Sequence, residues 1–593
     1  MRTYSRKKLV LQGEYETPIS IESAKVKGIN VVGDTNAVYL DQVSEAQSYC
    51  YELANNYWKA VKAKTGTRWD LRAVPIDLPI LGEQGQREAL AESEKLKDLT
   101  PEEAGYRISL IYQNSLPKFY REKLGIYYTP VHVVNRMLKD ADALGINFKT
   151  ARIIDPSSGG AAYLAPLCRK MLEVSFYKKQ SILEDIENRL VGIEIDNFAA
   201  WFSQFLVDCV LAEYAPYDRK PKNIVINEDA LQIDKKQLYG SFDYVIGNPP
   251  YGIIEKKERS LEGFEEVISG KVNLYQLFFA VGLSLVKEGG CLHFVTPTGY
   301  LGGKYFCRLR KWIENNSYPV FFQFFEDRTS IFKGVQQEIV ISAFKKQREK
   351  YLPQCVLLKE NEDKTKLISK FNAESPLFEN GLWILPKSAL EKKVSKVFLQ
   401  SKNTLETLGF SVKTGYLVPH RSGDLISFTK KSASDVPILW SESISAGYVD
   451  FETTYKKIKQ KWYHSKSGIG VISEPCVVVK RTSSKEQKRR IQAGYVSKNL
   501  IELNKGFIAE NHVNVIFKIK VSKIQLSTLT TFLRSEIFEE LFKCSSGTVT
   551  VSATELRQIP MPSYDGMLLF QDMTARVSSQ ELINKAAVIA YGM

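Results

Sequence analysis

Residues 242–252 read FDYVIGNPPYG, and this stretch decides the fold. An apolar run of strand-forming residues reaches Gly247, and Asn248 and two prolines follow it directly. Proline cannot continue a helix or donate to a strand ladder, so the chain must leave the strand in a stiff turn. The turn therefore holds Asn248 and Tyr251 rigidly at the end of a strand.

Four similar runs lie near this one, and small-residue turns separate them from helical patterns. They are ARIID (151–155), RLVGIEI (189–195), NIVIN (223–227) and GCLHFVTP (290–297). Strands that alternate with helices predict an α/β fold with a doubly wound, mostly parallel sheet. Ligands of such sheets bind beyond the carboxyl ends of the strands, so candidate site residues should follow these runs.

The length of 593 residues predicts two to four domains. Residues 1–110 show helical patterning without recognisable chemistry, and we predict a helical N-terminal region there. Residues 111–395 carry the alternating strands and helices, and their last part, 347–395, reads as a polar connection with helices. From residue 396 strand-like runs alternate with polar loops, which predicts an α+β domain over 396–593.

Composition indicates a soluble protein with an anionic partner. The chain is 44% hydrophobic and 25% charged, and its net charge of +14 favours nucleic acid. No two of the eight cysteines are spaced as CxxC, which argues against a zinc site and favours a reducing compartment. Since no run of about 18 apolar residues occurs, we expect no membrane segment, no signal peptide and a cytoplasmic location.

Three strand ends before NPPY suit a nucleotide-containing ligand. The first runs into DPSSGGAAYL (155–164), a small-residue loop that lets the backbone approach a ligand. The second ends with Glu194 and Asp196, where an acidic residue commonly accepts bonds from ribose hydroxyls. The third ends with Asp229 beside apolar Ala230, which suits an adenine ring. Each also has an ordinary structural interpretation as a helix cap or a solvated carboxylate.

The fourth strand end presents two acceptors and a flat ring. The side-chain oxygen of Asn248 and the carbonyl of Pro249 can both accept hydrogen bonds, and Tyr251 offers a stacking face. This combination fits a planar group that carries an NH2.

These motifs resemble those of the S-adenosylmethionine-dependent DNA amino-methyltransferases, specifically the N6-adenine enzymes of the γ arrangement in type II restriction–modification systems. That family places a methionine-side motif first, then the glycine loop, NPPY and a C-terminal target-recognition domain. Here GIYYTPVHVVNRML (125–138) matches the first motif, and KVNLYQLFFAVGLSLVKEGGCLHFVTPTGYL (271–301) is similar to the segment after NPPY. The resemblance covers residues 111–346.

The resemblance implies a Rossmann-like methyltransferase domain, S-adenosylmethionine as donor and no metal. The implied catalytic residues are Asn248, Pro249, Pro250 and Tyr251. The implied cofactor-binding residues are Tyr128, Thr129, Pro130, Asp155, Ser157, Gly159, Glu194, Asp229, Ala230 and Asn248. One residue departs from the family loop, because Ala161 stands where a glycine is usual. Its methyl group crowds the cofactor, or the turn differs.

The resemblance also implies that the target base is flipped out of the duplex, at a cost of a few kcal/mol. Tyr251 would stack on the flipped base. Phe332, in SIFKGVQQEIVIS (330–342), is a candidate second stacking face from the family pattern, and a core residue is the alternative.

The C-terminal part favours double-stranded DNA as the partner. Cations are concentrated in YKKIKQKWYHSK (455–466) and VKRTSSKEQKRR (479–490), and a solvated charged face is the alternative interpretation. The candidate DNA-binding residues there are Lys480, Arg481, Lys485, Lys488, Arg489 and Arg490. Residues 533–563 resemble the closing segment of restriction–modification specificity domains.

We predict a methyltransferase without its own nuclease. Enzymes that carry a fused nuclease ahead of the methyltransferase hold its metal with an Asp and a Glu-x-Lys, and before residue 123 no Glu is followed by Lys two places on. A separately encoded restriction endonuclease is the expected companion. Two alternatives stay open: an RNA or N4-cytosine DNA methyltransferase, and a DNA-binding protein with a decayed catalytic site.

Overall fold

The computed structural model describes most of the chain, in two compact units. The described residues are 23–26, 29–32, 36–175, 179–214, 219–233, 238–254, 261–326, 338–347, 352–361, 364–373, 382–452, 459–464, 468–482, 489–545, 550–577 and 579–593. The first unit comprises Met1–Pro297, Arg308–Tyr351 and Val356–Ile368. The second comprises Thr298–Cys307, Leu352–Cys355 and Ser369–Met593.

The N-terminal part of the first unit is helical after a short hairpin. Its elements are β1 (Ser23–Val26), β2 (Ile29–Val32), α1 (Asn36–Thr65), α2 (Glu83–Glu94), α3 (Pro101–Ser115) and α4 (Lys118–Leu124). Helix α3 begins with a capping box. The Thr100 hydroxyl accepts from the backbone N–H of Glu103, and the Glu103 carboxylate accepts from the backbone N–H of Thr100. Helices α1 to α3 contribute to the same hydrophobic core as the following strands, so this region is built into the first unit.

Residues 131–372 alternate between helices and strands. In chain order they form α5 (Val131–Ala143), β3 (Ile153–Asp155), α6 (Leu164–Val174), α7 (Lys179–Arg189), β4 (Leu190–Ile193), α8 (Asn197–Tyr214), β5 (Val225–Ile226), β6 (Phe242–Gly247), β7 (Ile253–Ile254), β8 (Val272–Asn273), α9 (Leu274–Leu285), β9 (Val286–Pro297), α10 (Gly299–Gly302), α11 (Cys307–Asn316), β10 (Tyr318–Phe325), β11 (Ile339–Lys345), β12 (Gln354–Asn361) and β13 (Lys364–Asn372).

The large sheet has two halves of different character. Among the described residues its strand order is β13-β12-β10-β11-β9-β6-β3-β4-β5. Strands β9, β6, β3, β4 and β5 pair in parallel, whereas β11 pairs antiparallel with both β9 and β10. The α/β fold is thus confirmed, with a mixed sheet. Strands β12 and β13 replace the polar connection with helices predicted over 347–395.

The parallel half explains why the candidate residues can meet. Strand β3 is buried throughout and β6 almost so, because helices such as α8 and α9, themselves nearly all buried, cover the sheet. Strands β3, β4, β5 and β6 all run in one direction, so their carboxyl ends share one edge. Asp155, Glu194 and Asn248 lie at that edge.

The second unit has the predicted α+β architecture. Its further elements are α12 (Ala389–Ser395), α13 (Val397–Gln400), β14 (Phe410–Thr414), β15 (Ile426–Ser427), β16 (Val436–Leu439), β17 (Gly447–Tyr448), β18 (Trp462–Tyr463), β19 (Cys476–Lys480), β20 (Ala493–Val496), α14 (Lys498–Asn504), β21 (Ile508–Ala509), β22 (Val513–Lys518), α15 (Leu526–Leu533), α16 (Glu536–Ser545), α17 (Ala553–Gln558), α18 (Tyr564–Thr574) and α19 (Gln580–Ala590). The described strands form two sheets, β14-β22-β19-β20-β17 and β15-β18-β16-β21. Helices α15 to α19 share one core with the first of these sheets.

In the described part of the chain, no helix combines the length and the apolar character needed to span a membrane.

Candidate active site at the strand ends

The glycine loop after β3 leaves no room for a side chain at Gly160. A Cβ at Gly160 would lie 2.3 Å from the hydroxyl oxygen of Ser109 and 2.9 Å from the ring of Tyr128. Gly159 has a φ of 50°, and its N–H donates to Oε2 of Glu194 at 2.9 Å. The loop is therefore fixed between helix α3, residue 128 and the end of strand β4.

Ala161 adopts the left-handed conformation that glycine favours. Its φ is 57°, its side chain is buried, and its N–H donates to the carbonyl of Ser158 at 2.9 Å. A non-glycine residue in this conformation costs about 1–2 kcal/mol. The departure from the family loop is thus accommodated by a strained alanine backbone.

Asp155 carries an unsatisfied carboxylate oxygen at the end of β3. The side chain is 1% exposed, and its Oδ1 accepts from the backbone N–H of Ser157 at 3.0 Å. Its Oδ2 is buried and accepts no hydrogen bond from the described residues. Burial raises the pKa of Asp155 to about 8, and the charge of nearby Glu194 adds to this rise. Buried polar atoms are nearly always bonded, so this oxygen fits a ligand donor such as an ammonium group.

Glu194 and Asp196 have different roles at the end of β4. Glu194 accepts from the backbone N–H groups of Gly159 and Asp196, both at 2.9 Å, and burial raises its pKa to about 7. Asp196 instead accepts from the N–H of Ala199 at 2.7 Å, in the first turn of α8. Asp196 is therefore a helix cap, and Glu194 is the better placed acceptor for a ligand hydroxyl.

Asp229 and Ala230 follow β5 in a turn. The Asp229 carboxylate accepts from the N–H of Leu231 at 3.0 Å, and Ala230 is buried. Their contact with an adenine ring stays a prediction.

The amide of Asn248 is oriented by three hydrogen bonds. Its NH2 donates to the backbone carbonyl of Tyr127 at 3.0 Å and to Oγ1 of Thr129 at 3.1 Å. Its Oδ1 accepts from the hydroxyl of Tyr251 at 2.5 Å. A backbone carbonyl can only accept, so the NH2 must face Tyr127 and the oxygen must face away from it.

Tyr251 contributes a donor as well as a ring. Burial holds its pKa well above the ordinary value, so the hydroxyl keeps its proton; the same hydroxyl lies 3.2 Å from the carbonyl of Val295. The ring packs edge-on against Tyr275, with centroids 6.3 Å apart.

The first motif and NPPY are in direct contact. A Cβ at Gly125, where φ is 65°, would lie 2.8 Å from the backbone nitrogen of Tyr251 and from Cβ of Pro250. Pro130 precedes the first residue of α5, and the rest of the motif lies in that helix. The first motif and NPPY, which are far apart in the sequence, therefore lie next to each other at the carboxyl ends of the parallel strands.

Two residues of α3 belong to the site and were not predicted. Gln113 accepts from the backbone N–H of Tyr128 at 3.0 Å, and Ser109 lies against Gly160. The two are one helical turn apart and share a face of α3. Only the capping box marks this helix in the sequence, and nothing there marks the face that meets the site.

The predicted DNA-binding cations divide into three groups. The first group, Lys485 and Lys488, lies outside the described residues. The candidate stacking residue Phe332 lies outside them as well. Lys480 ends β19, and Arg481 donates to the carbonyl of Asn511 at 3.1 Å.

The last two cations differ from each other. Arg489 donates to the carbonyl of Arg534 at 2.5 Å and is partly exposed. Arg490 is 6% exposed, and its backbone N–H donates to Glu539 at 2.8 Å. This burial counts against a phosphate contact for Arg490.

A Ser–His–Asp arrangement in the second unit has a structural explanation. His464 lies 2.7 Å from the hydroxyl of Ser427 and 2.8 Å from the carboxylate of Asp435. The Ser427 hydroxyl, however, donates to the carbonyl of Thr429 at 2.5 Å, so its proton is not offered to His464. Asp435 also accepts from backbone N–H groups of the same loop. The cluster ties that loop to the small sheet.

Within the described ranges, no three His, Cys, Asp or Glu side chains are grouped as a metal site would require.

Comparison with known proteins finds similarity to methyltransferases of restriction–modification systems. Residues 176–332 match the family model described as Eco57I restriction-modification methylase. The chain is 25% identical over 468 residues to the Type II methyltransferase M.BsuBI of Bacillus subtilis, covering 75% of this chain and 89% of that protein. It is 23% identical over 450 residues to the Type II methyltransferase M.PstI of Providencia stuartii, covering 73% and 83%.

Solved structures agree on the fold. The Type IIL restriction-modification enzyme MmeI, solved in complex with DNA, superposes with a TM-score of 0.56 at 12% identity, covering 91% of this chain and 87% of that chain. A nuclease-deletion mutant of the Type ISP enzyme LlaGI, with a DNA substrate mimic, gives 0.55 at 12% identity, covering 91% and 56%. The predicted resemblance to methyltransferases of type II restriction–modification systems is confirmed by the sequence matches.

Proposed function

We propose that this protein methylates N6 of adenine at a specific sequence in double-stranded DNA, as the modification enzyme of a restriction–modification system. One observation carries the proposal. The amide of Asn248 is held with its oxygen turned away from Tyr127, at the sheet edge that also carries the buried carboxylates of Asp155 and Glu194. A fixed acceptor beside carboxylates that suit a nucleotide-containing ligand favours transfer to an exocyclic amine.

S-adenosylmethionine is the methyl donor that the methyltransferase matches imply. The residues present fit it, because the unsatisfied Oδ2 of Asp155 can accept from its ammonium group. Glu194 would accept from the ribose hydroxyls, and Asp229 would contact the adenine. When bound, it supplies an electrophilic methyl group on a sulfonium. The other proposed contact residues are Tyr128, Thr129, Pro130, Ser157, Gly159, Ala230 and Asn248.

The acceptor nitrogen needs help because its lone pair is delocalised into the adenine ring. Asn248 Oδ1 and the Pro249 carbonyl would each accept one of its N–H groups. Two such bonds favour a pyramidal nitrogen whose lone pair points at the methyl group, which is complementarity to the transition state combined with orientation. No strong base is required, since the methylated nitrogen is cationic and loses a proton readily to water.

Tyr251 has two proposed roles that do not compete. Its ring would stack on the flipped base, a contact worth roughly 1–3 kcal/mol that offsets part of the cost of flipping. Its hydroxyl donates to Asn248 Oδ1 and leaves the second lone pair of that oxygen for the target amine. Pro250 stiffens the turn between the two residues.

Duplex DNA as the partner is supported by the net charge of +14 and by the cations after β19. MmeI and LlaGI, which share the fold, were both solved with DNA or a DNA mimic. Lys480, Arg481 and Arg489 are the described residues we propose for phosphate contacts. A separately encoded endonuclease and a cytoplasmic location belong to the same proposal.

A direct experiment separates adenine from the alternative, N4 of cytosine. DNA methylated with labelled S-adenosylmethionine is digested to nucleosides and the label is identified by chromatography. We expect N6-methyldeoxyadenosine, because the tetrapeptide of N4-cytosine enzymes more often begins with Ser than with Asn. Label in N4-methyldeoxycytidine would overturn the adenine assignment and leave the methyltransferase reaction intact.

A further inference from the structure

We propose that Gln113 of helix α3 is a positioning residue for the amide of Asn248, and that it acts through the single peptide plane between Tyr127 and Tyr128. This gives the N-terminal helices a part in the reaction. The inference rests on the proposed function, in which Asn248 Oδ1 accepts the target amine.

The two ends of that peptide plane have different partners. Its N–H, on Tyr128, donates to Oε1 of Gln113 at 3.0 Å. Its C=O, on Tyr127, accepts from Nδ2 of Asn248 at 3.0 Å. In a trans peptide the N–H and the C=O point in opposite directions in one rigid plane. Gln113 and Asn248 therefore hold the same plane from its two sides, and a rotation of the plane would disturb both bonds.

The carbonyl of Tyr127 decides which way the Asn248 amide faces. The amide can rotate by half a turn at low intrinsic cost, which exchanges its oxygen and its NH2. The hydroxyls of Thr129 and Tyr251 can each donate or accept, so they would tolerate either orientation. Of the described partners of the Asn248 amide, only the Tyr127 carbonyl accepts without donating. If it turns away, the amide can present its NH2 to the NH2 of the target, and a donor then faces a donor.

Helix α3 is held firmly enough to transmit this constraint. Gln113 is 4% exposed, and Ser109, one turn earlier on the same face, lies against Gly160 of the glycine loop. Gly105, a further turn back, lies against α8, where a Cβ would come within 2.4 Å of Leu206. Close packing at three successive turns fixes the position of the Gln113 side chain.

The test compares Gln113→Met, which keeps the size and removes the acceptor, with Gln113→Glu, which keeps an acceptor oxygen. We expect Gln113→Met to lower kcat for DNA methylation about tenfold or more, since it leaves a buried N–H unpaired and frees the amide. KM for S-adenosylmethionine and for DNA should stay within about threefold. Gln113→Glu should keep kcat within about threefold of wild type.

Gln47→Met is the matched control. Gln47 is 8% exposed, lies on α1 and donates to the hydroxyl of Tyr112, so the same substitution there disturbs the same helical region without touching the peptide plane. We expect its kcat to stay within about threefold of wild type.

A double variant separates positioning from a general loss of structure. With Asn248→Ala the amide is gone, so adding Gln113→Met should not lower the residual transfer further. Amide hydrogen exchange gives a readout that does not depend on activity: the Tyr128 N–H should exchange faster in Gln113→Met than in wild type or in Gln47→Met.

Several results would overturn the inference. They are a wild-type kcat in Gln113→Met, an equal loss in Gln47→Met, or a full further loss in the double variant. Failure of the proposed function gives a different result, in which wild-type protein methylates RNA and not DNA. The same variants are then compared with RNA as substrate, and the same outcomes support or overturn the inference. A wild-type protein that methylates no acceptor would overturn both.

Discussion

The carboxyl ends of the parallel strands and the basic segment 479–490 differ in how well their residues are brought together. At the strand ends, Asp155, Glu194 and Asn248 come from distant parts of the chain and lie at one sheet edge. In the basic segment, two residues that are adjacent in sequence have different environments: Arg489 is partly exposed and Arg490 is buried. Residues whose place follows from strand direction are predictable, whereas the direction of a loop cation depends on packing.

The largest expected effect is that of Asn248→Ala. Removing the acceptor should lower methyl transfer by about 100- to 1000-fold, the loss seen when one preorganised group is deleted from an active site. Binding of S-adenosylmethionine, measured by calorimetry, should stay within an order of magnitude. The matched control is Asn316→Ala on helix α11, where the amide donates to the carbonyl of Trp312 in its own helix at 2.8 Å. Transfer at a near wild-type rate in Asn248→Ala would show that the NPPY mechanism is wrong.

Asp155→Asn should change the pH dependence of cofactor binding. Burial raises the pKa of Asp155 to about 8 and that of Glu194 to about 7, so affinity for the cationic cofactor should rise with pH as they ionise. It should fall again once the cofactor's own α-amino group, with a pKa of about 8, loses its proton. Affinity therefore peaks near pH 8, and Asp155→Asn should weaken it about tenfold there.

Calorimetric titrations from pH 6 to pH 9 check this. Asp142→Asn, whose carboxylate is paired with Lys170 at the surface, is the control and should keep the peak. A flat profile in wild type would remove Asp155 from the proposed ammonium site.

Neutralising cations of segment 479–490 should have different effects at the partly exposed residues and at the buried Arg490. We expect Lys480→Gln with Arg489→Gln to reduce the slope of log affinity against log salt by about 0.9 for each DNA phosphate that the variant no longer neutralises. Arg490→Met should instead lower the melting temperature and leave the salt slope unchanged, because Arg490 is buried. DNA binding is measured at several salt concentrations, with Lys585→Gln on helix α19 as control. An unchanged slope in the double variant would place these residues on a solvated face.

The smallest expected effect is that of Ala161→Gly. Relief of the left-handed strain, about 1–2 kcal/mol, is opposed by loss of a buried methyl, about 0.8 kcal/mol, and by the greater freedom of an unfolded glycine, roughly 0.5–1 kcal/mol. The free energy of unfolding should therefore change by less than about 1 kcal/mol, as denaturant titration would show. Ala162→Gly, where no strain is relieved, should cost more. A large gain in cofactor affinity in Ala161→Gly would mean that the methyl crowds the cofactor.

The predictable part of the fold rests on buried parallel strands. Runs such as FDYVIG are mostly apolar because helices cover the sheet, and a short apolar run can be recognised directly in the sequence. Strands β12 and β13 were missed because QCVLLKEN and KTKLISKFN mix polar and apolar residues and lack the apolar run of a strand buried on both faces.

The candidate site was predictable where a motif marks it and not elsewhere. NPPY and the glycine loop have recognisable spacing, and the structure places them together. Gln113 has no such mark, since a glutamine within a helix becomes informative only when the partner of its side chain is known. The buried side chain of Arg490 likewise follows from tertiary packing that the charge pattern does not encode.

Methyl transfer to unmethylated genomic DNA, followed by single-molecule sequencing of the product, tests whether this protein is a sequence-specific N6-adenine methyltransferase. Wild-type protein and Asn248→Ala are compared with labelled S-adenosylmethionine. We expect N6-methyladenine at one recurring sequence motif with wild type, and almost none with the variant. N4-methylcytosine, or label found only in RNA or protein, would contradict the account of the substrate, and absence of any transfer would contradict the account of the active site.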